Sequence, residues 1–213
     1  MSSDSDHFRR IREQIIRLIC FFAMNKLALI FFLLAGCLQV TAQQISSNDY
    51  YTRLSVHNFR DDQILNQTID FDDPDYQRLN AAIFFATSEQ RRLKNLPLLN
   101  HSALLEKSAS MHSKDMCENH FFSHTNPGDR RKREAKDRAK LTGILNPYIS
   151  ENIARVFGLQ YKSNRNVRAP EPGIFIYPGE TDPIPPHTYI SLADDVIFYW
   201  MNSKGHRRNI LSE

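Results

Sequence analysis

Three residues in this chain combine chemistry-bearing side chains with ordered local motifs: His124, Glu151 and His206. His124 ends Phe121-Phe-Ser-His124 and is followed by Thr-Asn-Pro-Gly. Glu151 opens Glu-Asn-Ile-Ala154. His206 follows Trp200-Met-Asn-Ser-Lys-Gly and precedes Arg-Arg-Asn-Ile-Leu211. Two imidazoles and one carboxylate are donor types that suit zinc, with a fourth position open for water. A metal lowers the pKa of such water to ~7 and makes it a nucleophile. The carboxylate could also act as a general base. The chain distances between these residues say nothing about proximity. A structural alternative therefore stays open, in which Glu151 accepts backbone hydrogen bonds and the histidines are bonded bystanders. The metalloprotease signature H-E-x-x-H is absent, and so is G-x-S-x-G.

The elements that must position these residues are legible from periodicity. Leu79, Ala82, Ile83, Ala86 and Leu93 fall on helical spacing, which predicts a helix over 75–93 stopped before Pro97. A second helix is predicted over 102–119, with Leu105, Ala109, His112 and Met116 on one face and Asn100 or Ser102 as its cap. A lone histidine on such a face, here His112, reads as a satisfied core residue. Phe121 to His124 reads as a short extended piece, and Asn126-Pro127-Gly128 as a turn. Residues 129–141 carry seven Lys or Arg against three Asp or Glu. They read as a solvated helix with charges paired at i to i+4. Residues 155–187 hold six prolines and read as a loop insertion. The last helix is predicted from Ser191, capped by Ser191 with Asp194, and closed by Trp200, with His206 on the exit of the turn that follows.

The whole chain has 213 residues, a formal charge of +3 and three cysteines. That length allows one domain plus a processing segment. The charge is too small to argue for nucleic acid. Residues 75–213 hold Cys117 alone, so they lack the even cysteine set of a secreted disulfide framework. Residues 1–42 read as a signal or membrane-anchor segment. Met24-Asn-Lys26 begins a positive region, and Met24 is a second possible start. Leu27 to Leu34 is an uncharged apolar run. Leu34-Ala-Gly-Cys37 fits a lipobox whose cysteine would be lipidated, whereas Val40-Thr-Ala42 fits ordinary signal cleavage. An uncleaved anchor is the third option. Each places the remainder outside the cytoplasm, in the extracellular space or the cell envelope. Residues 43–74 are acidic and read as a linker or loosely packed arm.

Together, the His124, Glu151 and Trp200–Leu211 motifs resemble the CAP superfamily, the cysteine-rich secretory, antigen 5 and pathogenesis-related domain, in its bacterial SCP-like form. The resemblance runs from about Tyr76 to Leu211. It implies an α+β fold, a CAP-type α-β-α sandwich with a small central antiparallel sheet. It also implies that His124, Glu151 and His206 line one open cleft, with a divalent metal such as zinc on His124 and His206. Many members add a glutamate where this chain has Ser203, so the cluster shrinks here. The family's ligands include lipids, sterols, metals and proteins, and proteolysis has been proposed for some members. The reading favours a binding module over an enzyme. A metal-dependent hydrolase with Glu151 as base is the first alternative, and an inert envelope scaffold the second. Membrane contact would come through the N-terminal segment or a lipidated Cys37. The resemblance further implies a final hairpin after Asn-Ile-Leu211, where only Ser212 and Glu213 follow. The domain is therefore expected to be incomplete and to fold poorly alone. Ile174-Phe-Ile-Tyr177 is the nearest strand candidate elsewhere.

Overall fold

The computed structural model describes residues 49–212. The segment 1–42, both of its exits and Cys37 lie outside the described residues. In chain order the elements are α1 (Asp49–Arg53), α2 (Tyr76–Arg92), α3 (Ala103–Glu118), α4 (Ala135–Leu141), β1 (Arg168–Glu171), β2 (Ile174–Ile176), α5 (Tyr189–Asn202) and α6 (Lys204–Leu211). The fold class is α+β, as expected.

Two helices make the centre. α2 starts where the Asp75 carboxylate accepts from the N–H groups of Gln77 and Arg78. Its inner face is Ala81, Ala82, Phe85 and Ala86. Three small residues on one face let α5 lie close, and α5 meets them with Ile190, Leu192, Ala193 and Ile197. α5 begins before the expected Ser191. Thr188 is its cap, and Ser191 occupies the third helical position, each hydroxyl accepting the other's backbone N–H.

The C-terminal stretch is not one helix and a turn. Ser203 adopts an extended backbone, with φ −100° and ψ 123°, and α6 restarts immediately. Gly205 and His206 are therefore helical residues. The α6 C-terminus is held by Arg91, a buried guanidinium that donates to the Ile210 and Ser212 carbonyls at 2.8 and 2.6 Å. A cation at that end also suits the helix dipole.

The expected loose arm is corrected by the structure. Tyr50, Leu54, Phe59, Leu65 and Ile69 are buried in the main core, with Leu65 wholly inaccessible. Backbone bonds from Ile190 N–H to Leu65 and from Ile69 N–H to His187 tie the arm to the entry of α5. Arg60 spans Glu89 on α2 and Asp194 on α5. The sequence concealed this packing because the arm is irregular. Its apolar residues follow neither a helical nor a strand period. The acidic residues meanwhile serve local turns: Asp62 accepts from the Ile64 and Leu65 N–H groups.

Two other expectations change. α3 buries Ser108, His112 and Asp115 rather than an apolar stripe, while Leu104 and Leu105 are exposed. The proline-rich segment carries the sheet, in which β1 and β2 pair antiparallel with Arg168 opposite Ile176 and Glu171 opposite Ile174. Gly173, at φ +82°, makes the turn, a conformation that side chains disfavour. The main core contains none of the sheet's residues. Among the described residues the sheet therefore borders the helical core and does not form its centre.

Candidate functional site

The site begins with a buried polar pillar between α3 and the segment 121–138. Asn126 makes the predicted turn, its side-chain oxygen accepting from the N–H groups of Gly128 and Asp129. Its amide also donates to Asp115 at 2.9 Å, and Lys132 reaches both oxygens of the same carboxylate at 3.0 Å. The segment 129–141 is thus two pieces. A tight turn over Arg130–Lys132 is capped by Asp129, and α4 follows, with Glu134 and Asp137 as a capping box. Phe121 to His124 forms no strand.

Arg138, on α4, has no exposed surface. Its guanidinium donates to the carbonyls of Lys132 at 2.9 Å, Arg133 at 3.1 Å and His124 at 3.2 Å. It also donates to Glu151 Oε2 at 2.5 Å. The other carboxylate oxygen, Oε1, lies 2.9 Å from His124 Nδ1. A carboxylate only accepts, so Nδ1 carries the proton in the neutral ring. The lone pair then sits on Nε2 of a side chain that is about half exposed. The order Arg138, Glu151, His124 runs from core to solvent.

His112 stands behind this chain. It is 1% exposed, and its Nε2 donates to the Ser123 carbonyl at 2.9 Å. Burial pushes its pKa down, and the nearby Arg138 cation pushes it down further. The core reading of His112 holds in part. It is buried and bonded, but its Nδ1 has no hydrogen-bond partner among the described residues.

The Glu-Asn-Ile motif is anchored to the C-terminal helices. Asn152 donates to the His206 carbonyl at 3.1 Å and accepts from the Asn209 amide at 2.9 Å. The Trp200 indole N–H donates to the Ile153 carbonyl at 3.2 Å. The backbone of His206 is thereby fixed one residue away from Glu151, with the His206 ring partly exposed. Ser203 marks the break between α5 and α6, and its carbonyl accepts from Arg207 N–H. A cleft of about 240 Å³ adjoins at Asn152, lined by Thr87, Leu99, Ser150, Trp200, Asn209 and Ile210. His124, Glu151 and His206 are not among its lining residues.

Among the described residues no three His, Cys, Asp or Glu side chains converge into a group that could hold a metal. The structure brings His124 and Glu151 together and ties His206 to their segment by its main chain. Arg138 and Asp115 are the residues that sequence reasoning missed. Arg138 sits among other charges, and nothing in the pattern marks it as inward-facing, whereas Asp115 shares a helical face with His112. The 108, 112, 115 spacing on α3 was the available signal.

Comparison with curated proteins and with solved structures finds no match. A family profile, CAP, described as the cysteine-rich secretory protein family, matches residues 84–213. That stretch includes α3, α4, the Arg138–Glu151–His124 chain and both C-terminal helices, and it spans more than half the sequence. The chain belongs to the CAP family.

Proposed function

We propose that this chain acts outside the cytoplasm as a non-enzymatic CAP binding module organised around His124, Glu151 and His206. One observation carries the reading. Both oxygens of Glu151 are engaged, Oε2 by a buried arginine and Oε1 by His124. A general base needs an open oxygen within reach of the proton it takes. Glu151 is spent on holding a ring in place, which is a binding-site role. The adjoining cleft sets Trp200, Leu99 and Ile210 beside the amides of Asn152 and Asn209. That mixture suits an amphipathic ligand of the lipid, sterol or peptide kind.

A divalent cation, zinc among them, forms part of this proposal in a limited way. His124 presents the Nε2 lone pair with a carboxylate behind Nδ1, the arrangement that orients metal-binding histidines. His206 is its proposed second ligand. The described residues do not supply a third, so the proposed site is weak and no reaction step is routed through it. The export reading rests on residues 1–42. Among the described residues no helix is long and apolar enough to cross a membrane.

Zinc titration of the wild type, His124→Ala, His206→Ala and Glu151→Gln tests the cation part. Either histidine variant should weaken binding at least tenfold, and Glu151→Gln should weaken it about 10–100-fold through ring orientation. Unchanged affinity in His206→Ala would remove that residue from the site. Turnover of a peptide or ester library by the zinc-loaded wild type, abolished in Glu151→Gln, would replace the binding module with the hydrolase.

A further inference from the structure

The basic segment was expected to be one helix with its charges paired at i to i+4, and among the described residues no such i to i+4 pair forms within it. Lys132 and Arg138 face inward, on Asp115 and Glu151. Arg131 and Arg133 pair with Asp129 and Glu134 beside them. Lys136 and Lys140 are exposed and have no ion pair among the described residues. They stand four residues apart on α4, the spacing at which like charges repel along a helix face. Glu134 and Asp137, the acidic side chains of α4 and its cap, accept the capping-box hydrogen bonds and make no ion pair with either lysine.

The chain then leaves α4 through Gly143, at φ +103°, with Ile144 N–H returning to the Ala139 carbonyl. Leu141 closes α4 one residue after Lys140, and Leu145 and Tyr148 follow the exit within seven residues of it. Leu141 is 53% exposed, Leu145 87% and Tyr148 103%. Single exposed apolar residues need no explanation. Three within eight positions, following two exposed lysines without an ion pair among the described residues, set cationic and apolar side chains in one short exposed segment.

We propose that Lys136, Lys140, Leu141, Leu145 and Tyr148 dock this domain on an anionic lipid bilayer. Lysines beside the surface are drawn to acidic headgroups. Leucine inserts at the headgroup boundary, and tyrosine is favoured there because its ring is apolar and its hydroxyl stays wet. A soluble polyanion would use the lysines and leave Leu145 and Tyr148 in water, so the bilayer is the partner that fits both halves of the patch.

The test must separate this patch from the apolar N-terminal run, so it reads the patch locally in the full chain. Tyr148→Trp is prepared and mixed with phosphatidylcholine vesicles, with or without phosphatidylglycerol, whose acyl chains carry bromine. Emission from position 148 is taken as the difference from the wild type, which has Trp200 alone. Blue-shifted emission quenched by bromine in the anionic vesicles is expected. That signal should be lost when Lys136→Glu and Lys140→Glu are added, and reduced in zwitterionic vesicles. Unquenched emission while the chain sediments with anionic vesicles would overturn the proposal. So would quenching that is indifferent to both lipid charge and lysine reversal. Binding of a soluble polyanion with position 148 unquenched on vesicles would assign the lysines to a different partner and also overturn it.

Discussion

Replacing Arg138 by methionine removes a side chain that joins α4, the His124 loop and the Glu-Asn-Ile motif. The guanidinium has no exposed surface and makes hydrogen bonds to three carbonyls and one carboxylate. Breaking a buried ion pair by deleting one partner costs about 3–5 kcal/mol. Each carbonyl left without a donor adds to that, up to ~1–3 kcal/mol where water cannot reach it. Glu151 retains some exposure, so water relieves part of its loss. An overall loss of about 3–5 kcal/mol is expected, a large part of a typical ~5–15 kcal/mol. Urea unfolding followed by circular dichroism reads it as a lowered midpoint at unchanged slope. Arg138→Lys keeps the charge but not the fork, and should fall between, losing about 1–3 kcal/mol. Glu151→Gln leaves the buried cation on its three carbonyls and should cost about as much as a lost charged hydrogen bond, ~1.5–3 kcal/mol. The double variant Arg138→Met with Glu151→Gln should be less destabilised than the sum by ~0.5–3 kcal/mol. An Arg138→Met midpoint matching wild type would refute the pillar. Strict additivity in the double variant would show that the two residues do not act as a pair.

Two further outcomes are expected. The pKa values of His112 and His187 are both lowered, by burial in each case. Below about pH 6.5 the unfolded chain takes up protons that these two rings refuse. Their contribution to stability is therefore complete above that pH. It declines as pH falls toward their folded values, by up to about 1.4 kcal/mol per pH unit for each ring. Urea midpoints between pH 7.5 and 5 check this, and His187→Gln should flatten the slope. Phe59→Ala should cost about 3–5 kcal/mol, because Phe59 is 1% exposed and stacked on Phe85. A Phe59→Ala thermal midpoint unchanged by calorimetry would return residues 49–74 to the status of a linker.

Local chemistry alone determined the parts of this protein that depend on near neighbours. Ser102 caps α3, one of the two caps the sequence offered, and α2 starts at Asp75, the first residue of the expected helix, because a cap needs only a side-chain oxygen and the next N–H groups. The Asn126 turn was legible for the same reason. The ordered motifs around His124, Glu151 and His206 marked the family, since their residue types and order do not depend on packing. What only the tertiary structure decided was the direction of each charged side chain. Lys136 and Arg138 lie two positions apart in the same basic run, yet one is exposed and the other wholly buried. That difference arises from Glu151, thirteen residues on, and from three carbonyls of a loop that folds back over α4. The arm was hidden likewise: burying Phe59 and Leu65 requires α2 and α5 already side by side, and an irregular segment has no period through which to announce a distant surface.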